Sequence, residues 1–200
     1  MNSLFESEPI KLNLKDADIV YFPHFFDTKE ANSIFELLIN EIPWQQDTIR
    51  VFGKSYPQPR LTALFGNQDK SYSYSNIKMF TNNWTPLLEK IKIELEKISE
   101  THFNVVLLNY YRNGKDSNGW HADNEKELGT NPVIASLSFG AKRCFQLKHN
   151  FDKSLKKNIT LEHGSLLIMQ GTTQHFWKHQ IPKTSKPTDA RINLTFRFVV

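Results

Sequence analysis

The sequence predicts a mainly β fold with flanking helices, of the sandwich or jelly-roll kind. From Phe103 onward, short β-rich runs follow one another at 103–111, 133–139, 143–149, 158–162, 165–169, 173–179 and 190–199, separated by Gly and Asn clusters. Two amphipathic helical patterns lie ahead of them, and sheets faced by helices are a stable layered solution. Nine Pro, eight Gly and 12% aromatic residues suit a turn-rich β protein.

The elements follow in order. Residues 18–22, Asp-Ile-Val-Tyr-Phe, read as a strand. Asp27 and Glu30 form a capping-box pattern that opens a helix. Ile34, Phe35, Leu38 and Ile42 recur at helical spacing, and Pro43 ends the run. A second helix is predicted from Pro86 to Ser99. Thr85 caps it, Pro86 suits its first turn, and Leu88, Ile91, Leu95 and Ile98 form its apolar stripe. In the last strand, Ile192, Leu194, Phe196 and Phe198 share one face; Arg191, Asn193, Thr195 and Arg197 share the other. That polar face fits either a solvated surface strand or a barrel interior that holds a carboxylate, which an Arg fork grips well.

The chemistry-bearing residues begin with His121 and Asp123 in NGWHADNE. On an extended backbone, side chains two apart point the same way, so the pair can grip one ion. His179, in QHFWKHQIP, can complete the set, with His175 as its competitor four residues away. Two His and one carboxylate with open positions is the pattern of non-haem Fe(II) oxygenases.

Together, Asn109-x-Tyr111, His121-x-Asp123, His179 and Arg191-x-Asn193-x-Thr195-x-Arg197 resemble the AlkB family in order and spacing, over about Val51 to Val200. RINLTFR is close to that family's signature, and ASLSFGAKR and EHGSLLIM are similar to its segments. The match resembles most the branch acting on double-stranded DNA, the AlkB homologue 2 type. The resemblance implies a double-stranded β-helix and an Fe(II)- and 2-oxoglutarate-dependent dioxygenase that uses O2 to repair alkylated bases. It implies His121, Asp123 and His179 as iron ligands, the Gln-Ile-Pro after His179 deciding against His175. It implies Asn109, Tyr111, Arg191, Asn193 and Arg197 around 2-oxoglutarate, with the second arginine on the far carboxylate.

For the substrate, the resemblance points to Glu125 beside a cationic base, to Tyr72 and Tyr74 as a lid, and to Arg60 as a basic lid position. Val51-Phe52-Gly53 is similar to a hairpin tip that wedges into a base stack, where apolar side chains unstack steps. Lys54 and Lys148 are implied as contacts to the DNA backbone. Lys148-His149-Asn150 departs from the branch's Arg-His-Lys cluster by one basic residue. The implied organisation is one dioxygenase domain over 1–200. Residues 1–50 form a helical front with the first strands, 51–80 a nucleotide-recognition hairpin and lid, and 103–200 the β-helix core.

Composition sets the outer bounds. Two hundred residues suit one domain. A net charge of +4 and a pI near 9.0 agree with a polyanionic partner. The lone Cys144 excludes an internal disulfide and suits a reducing compartment. The acidic start MNSLFESEP lacks an apolar signal region, and no apolar run has the roughly 18 residues of a membrane span. The expected setting is intracellular rather than secreted: cytoplasmic in a bacterium, nuclear in a eukaryote. A monomer is expected, with no membrane contact and with DNA as partner, duplex ahead of single strand. The alternatives are RNA demethylation, a nucleic-acid-binding barrel without chemistry, and oxidation of a protein or metabolite.

Overall fold

The computed structural model describes residues 8–51, 53–67, 72–74, 77–79 and 81–200. Its front consists of β1 (Ile10–Lys11), β2 (Asp18–Phe22) and α1 (Thr28–Glu41). Two short hairpins and a longer strand follow: β3 (Thr48–Val51), β4 (Lys54–Pro57), β5 (Leu61–Gly66), β6 (Tyr72–Tyr74) and β7 (Ile77–Met79). After α2 (Pro86–Ser99) come β8 (Val105–Tyr111), β9 (Asn118–His121), β10 (Ile134–Gly140), β11 (Arg143–His149), β12 (Lys156–Leu161) and β13 (Ser165–Gln170). A single turn, α3 (Thr173–Phe176), leads into β14 (Trp177–Ile181), and β15 (Arg191–Arg197) closes the chain.

Among the described residues the strands form two main sheets, every pairing antiparallel. The larger runs β1-β2-β13-β10-β15-β8-β5 and the smaller β12-β11-β14-β9. The hairpins β3–β4 and β6–β7 stand apart from both. This is the double-stranded β-helix expected for the family.

Both helices begin where the sequence places them. Asp27 accepts a hydrogen bond from the Glu30 backbone N–H at 2.8 Å, and Thr85 caps α2 through Leu88 N–H. Ile42 at the end of α1 is extended, as the residue before a proline prefers to be. Ala31, Ile34 and Leu38 of α1 and Leu88, Ile91 and Leu95 of α2 bury against one face of the larger sheet. Gly140 sits at the contact with φ +85; a Cβ there would meet Phe35 and the Ala190 carbonyl.

The sheet's other face meets the smaller sheet. Strand alternation sorts the residues between these two layers. Val106, Leu108, Ile192, Leu194 and Phe196 face the helices. Val105, Leu107, Tyr111, Leu167 and Met169 face Phe145, Leu147, Leu161 and Trp177 across the inter-sheet space. Leu194 and Leu108 are paired in register and fully buried. Truncating either to Ala would cost about 2–5 kcal/mol.

Two expectations need correction. The last strand stops at Arg197, so Phe198 leaves the apolar face and is 45% exposed. The run 173–179 is not one strand. After Gly171, at φ +57, Thr173 Oγ1 donates to the Gln170 carbonyl and the chain makes one helical turn before β14. No helix among the described residues is long and apolar enough to cross a membrane.

Candidate metal centre and its pocket

The polar face of β15 is buried. Arg191, Asn193, Thr195 and Arg197 are all buried, because β15 lies centrally between β10 and β8. The solvated alternative is therefore excluded. These four residues line one pocket between the sheets with Asn109, Tyr111, His121, Asp123 and His179.

His121 and His179 are register partners on β9 and β14, their ring centroids 4.3 Å apart. Asp123 lies just past the end of β9. Its buried carboxylate accepts a hydrogen bond from Arg197 at 2.8 Å, and its backbone N–H donates to Gln174 Oε1 at 2.9 Å. Ligand atoms of the three residues all fall within 4.8 Å of one another. His121 Nδ1 donates to the Gly119 carbonyl at 2.8 Å, so Nε2 carries the lone pair that a metal takes. His175 is exposed and bonded to Asn131 at 2.9 Å, away from the cluster.

The electrostatics prepare the set for a cation. Burial, reinforced by neighbouring His121, pushes the His179 imidazole down to about 3. Burial alone would raise Asp123, but Arg197 and the two histidines outweigh it and hold the carboxyl at about 2. Neutral imidazoles and an ionised carboxylate are what metal binding requires. The same shifts predict acid sensitivity of the metal-free protein. Both groups are depressed relative to the unfolded chain, so their contribution is full above the unfolded values and lost as pH falls through the folded ones. His179 acts between its ordinary 6.5 and about 3, and Asp123 between 3.8 and about 2. Melting temperature should fall with pH across the first window, and His179→Gln should flatten that part of the profile. An unchanged profile would show that His179 is not buried neutral.

At the other end of the pocket, Arg191 is fully buried and donates to Ser138 Oγ at 2.9 Å. Its Nε and Nη1 have no hydrogen-bond partner. Burial lowers its pKa to about 10, so it remains a cation at neutral pH. Two unpaired donors on a buried cation fit a carboxylate, since an unpaired buried charge is costly. Arg197 already donates to Asp123, whereas Arg191 keeps donors that a carboxylate could take.

The remaining predicted residues divide. Asn109 and Tyr111 line the pocket, and Arg191 lies 5.1 Å from the Tyr111 ring. Asn193 also lines it, but its amide donates to Ser136 Oγ and the Leu137 carbonyl and accepts from Thr195. Arg60 is not on the β6–β7 hairpin. It is buried at 4% and donates to Asn109 Oδ1 at 2.7 Å, bracing a pocket residue. Glu125 is half-buried beyond Asp123. Lys54 and Gly53 are exposed at the β3–β4 turn, and Lys148 Nζ rests 4.2 Å from the Trp120 ring. Phe52 lies outside the described residues; of Val51, Tyr72 and Tyr74 the backbone alone is described. Gln174 and Ser138 were not foreseen. A helix-turn signal at Gly171 would have found the first, and the alternation of β10 the second.

A family model described as the 2OG-Fe(II) oxygenase superfamily matches residues 18–197. The alkB homolog 3 alpha-ketoglutarate-dependent dioxygenase of Bos taurus is 46% identical over 186 residues, covering 88% of this chain and 64% of that protein. Its Homo sapiens counterpart is 44% identical, with 90% and 66% covered. The DNA oxidative demethylase ALKBH2 of Homo sapiens is 35% identical, with 88% and 71% covered. The solved structure of OsALKBH1 superposes with a TM-score of 0.65 at 16% identity, over 96% of this chain and 100% of that one, a likeness of fold. The chain thus spans just under two thirds of the length of the homolog 3 proteins.

Proposed function

Because the chain belongs to the AlkB family of the 2OG-Fe(II) oxygenase superfamily, with Fe(II) as cofactor and 2-oxoglutarate and O2 as cosubstrates, we propose that it oxidatively dealkylates N-alkylated bases in DNA, of the 1-methyladenine and 3-methylcytosine type. The observation that carries this reading is one pocket with His121, Asp123 and His179 at one end and, at the other, the Arg191 guanidinium with two donors unpaired.

His121, Asp123 and His179 would hold Fe(II), and the ring and carboxylate orientations are set by Gly119, Gln174 and Arg197. When bound, the iron supplies O2 activation: 2-oxoglutarate becomes succinate and CO2, and the second oxygen atom enters an N-methyl C–H bond. The hydroxymethyl product then releases formaldehyde and the restored base. Arg191, with Tyr111 and Asn109, orients the cosubstrate's far carboxylate. Arg197 keeps Asp123 ionised. Glu125 favours a cationic base by Coulomb attraction, which strengthens as water is excluded. An alkylated base that cannot pair is also less costly to extrude.

Duplex DNA is the finer reading, and the β3–β4 hairpin supports it. The hairpin stands outside both main sheets, and Val51 pairs with Lys54 across a two-residue turn with Gly53 at φ +78. With β6–β7 it would form the nucleotide-recognition part at 51–80, and Phe52 at its tip would fill the gap left by a flipped base. Phe52→Ala should then lower repair of methylated duplex sharply, on the order of the few kcal/mol that unstacking a step costs. Repair of single strands should hardly change. Initial rates on one lesion in both contexts, at fixed salt, make the comparison. A parallel loss in both, with a lower melting temperature, would place Phe52 in the core.

The function itself is tested by measuring formaldehyde from matched methylated DNA and RNA oligomers, single- and double-stranded. Release from DNA that depends on iron and 2-oxoglutarate is expected. Release from RNA alone would replace the DNA reading, and none from either would end it.

A further inference from the structure

We propose that Arg143 is a positioning residue that fixes the far end of the cosubstrate pocket at the length of a five-carbon dicarboxylate. The inference rests on the cosubstrate reading above and adds a residue that does not line the pocket.

Arg143 opens β11 and is 4% exposed. A charge buried there needs several partners, and it has three backbone carbonyls. Its Nη1 donates to Asn113 at 3.2 Å; its Nη2 donates to Asp116 at 2.9 Å and to Pro182 at 2.7 Å. Asn113 and Asp116 lie in the loop between β8 and β9, which delivers His121. Pro182 directly follows β14, which carries His179. The guanidinium also lies 5.6 Å from the ring of Tyr111, at the end of β8. One side chain thus ties a strand of the larger sheet to three strands of the smaller one, where the pocket ends.

Tyr111 makes the tie consequential. Its buried ring has Arg143 at 5.6 Å and Arg191 at 5.1 Å, both within cation–π range. Two like charges against one ring repel, and Arg191 keeps two unpaired donors. An anion at Arg191 resolves that repulsion. Arg143 does not line the pocket, and three of its five N–H donors are held by carbonyls. Instead it sets where Tyr111 stands, and hence how far the far carboxylate site lies from the metal. A lysine offers a compact charge in place of a planar fork and cannot span three carbonyls in two loops.

The test uses the full chain loaded with Mn(II), so that no turnover occurs. Binding of 2-oxoglutarate, of the monocarboxylate 2-oxopentanoate and of the longer 2-oxoadipate is titrated by calorimetry for wild type, Arg143→Lys and Arg143→Met. The expected result is about 10- to 100-fold weaker 2-oxoglutarate binding, the range typical of groups that support a contact from behind. 2-Oxopentanoate should bind as before, and the preference for 2-oxoglutarate over 2-oxoadipate should shrink. Ratios taken within one preparation are insensitive to a partly unfolded fraction. Parallel weakening of all three acids would make Arg143 a stabilising residue only and overturn the proposal, as would unchanged binding. Arg191→Met separates the parent reading. If it leaves 2-oxoglutarate binding intact, the cosubstrate site is misplaced. If it destroys binding while the Arg143 variants retain wild-type ratios, only the role of Arg143 falls.

Discussion

Asp123→Ala is expected to abolish turnover and metal binding and to destabilise the fold as well. The carboxylate is 1% exposed and serves two partners at once, the metal position and Arg197 at 2.8 Å. Removing it deletes the only anionic donor of the triad and strands a guanidinium that is itself 2% exposed. Breaking a buried pair from one side costs about 3–5 kcal/mol. His179→Ala should be equally inactive but closer to wild type in melting temperature, because the Asp123–Arg197 pair survives. His175→Ala should be near wild type in both respects, since that ring is exposed and bonded to Asn131. Mn(II) titration, formaldehyde release and thermal melts on the three variants read these outcomes separately. A strong chelator should silence the wild type, and added Fe(II) should restore it. An active His179→Ala beside an inactive His175→Ala would put the third ligand on the wrong histidine. Full metal affinity in Asp123→Ala would remove the centre altogether.

What the sequence made legible was local. The helix from Pro86 to Ser99 matches its cap, its proline and its stripe, because those signals act within a few residues. The metal set was legible because a histidine two residues from an aspartate constrains backbone and chemistry together. The β15 alternation was legible too, but not which face was buried. Arg-x-Asn-x-Thr-x-Arg looks the same facing water or facing a pocket; only the neighbours β10 and β8, brought from about 55 and 85 residues away, decide it. What Arg197 touches was hidden for the same reason. Arg197 meets Asp123 across 74 residues, a contact that no local pattern encodes. The resemblance to the type 2 branch is carried by the short VFG segment, whereas identity over the whole chain is higher to the homolog 3 proteins. Arg143 gave no signal at all, being one arginine in an ordinary strand, and its meaning comes from three carbonyls in two distant loops.

The second large effect is expected at Arg191. Arg191→Met keeps most of the side chain's volume and removes its charge and donors. A far carboxylate entering the pocket would then be buried without a cation, and loss of one partner of a buried pair costs about 3–5 kcal/mol. At about 1.4 kcal/mol per decade, 2-oxoglutarate should bind roughly two to three and a half decades more weakly. The metal should bind as before, since Arg191 touches Ser138 and Tyr111 and not the triad. Arg197→Met should show the converse. It leaves the Asp123 carboxylate without its guanidinium, so the metal affinity, the carboxyl's low pKa and the stability change first. Free protein should not suffer from Arg191→Met, because the wild-type guanidinium already carries two unsatisfied donors, and replacing it with an apolar chain of similar shape removes that cost. A rise in melting temperature without cosubstrate, together with loss of the shift that 2-oxoglutarate produces in wild type, is therefore the specific signature. If Arg191→Met binds 2-oxoglutarate normally while Arg197→Met does not, the second arginine of the strand takes the far carboxylate after all, and the pocket must open with Arg197 leaving Asp123.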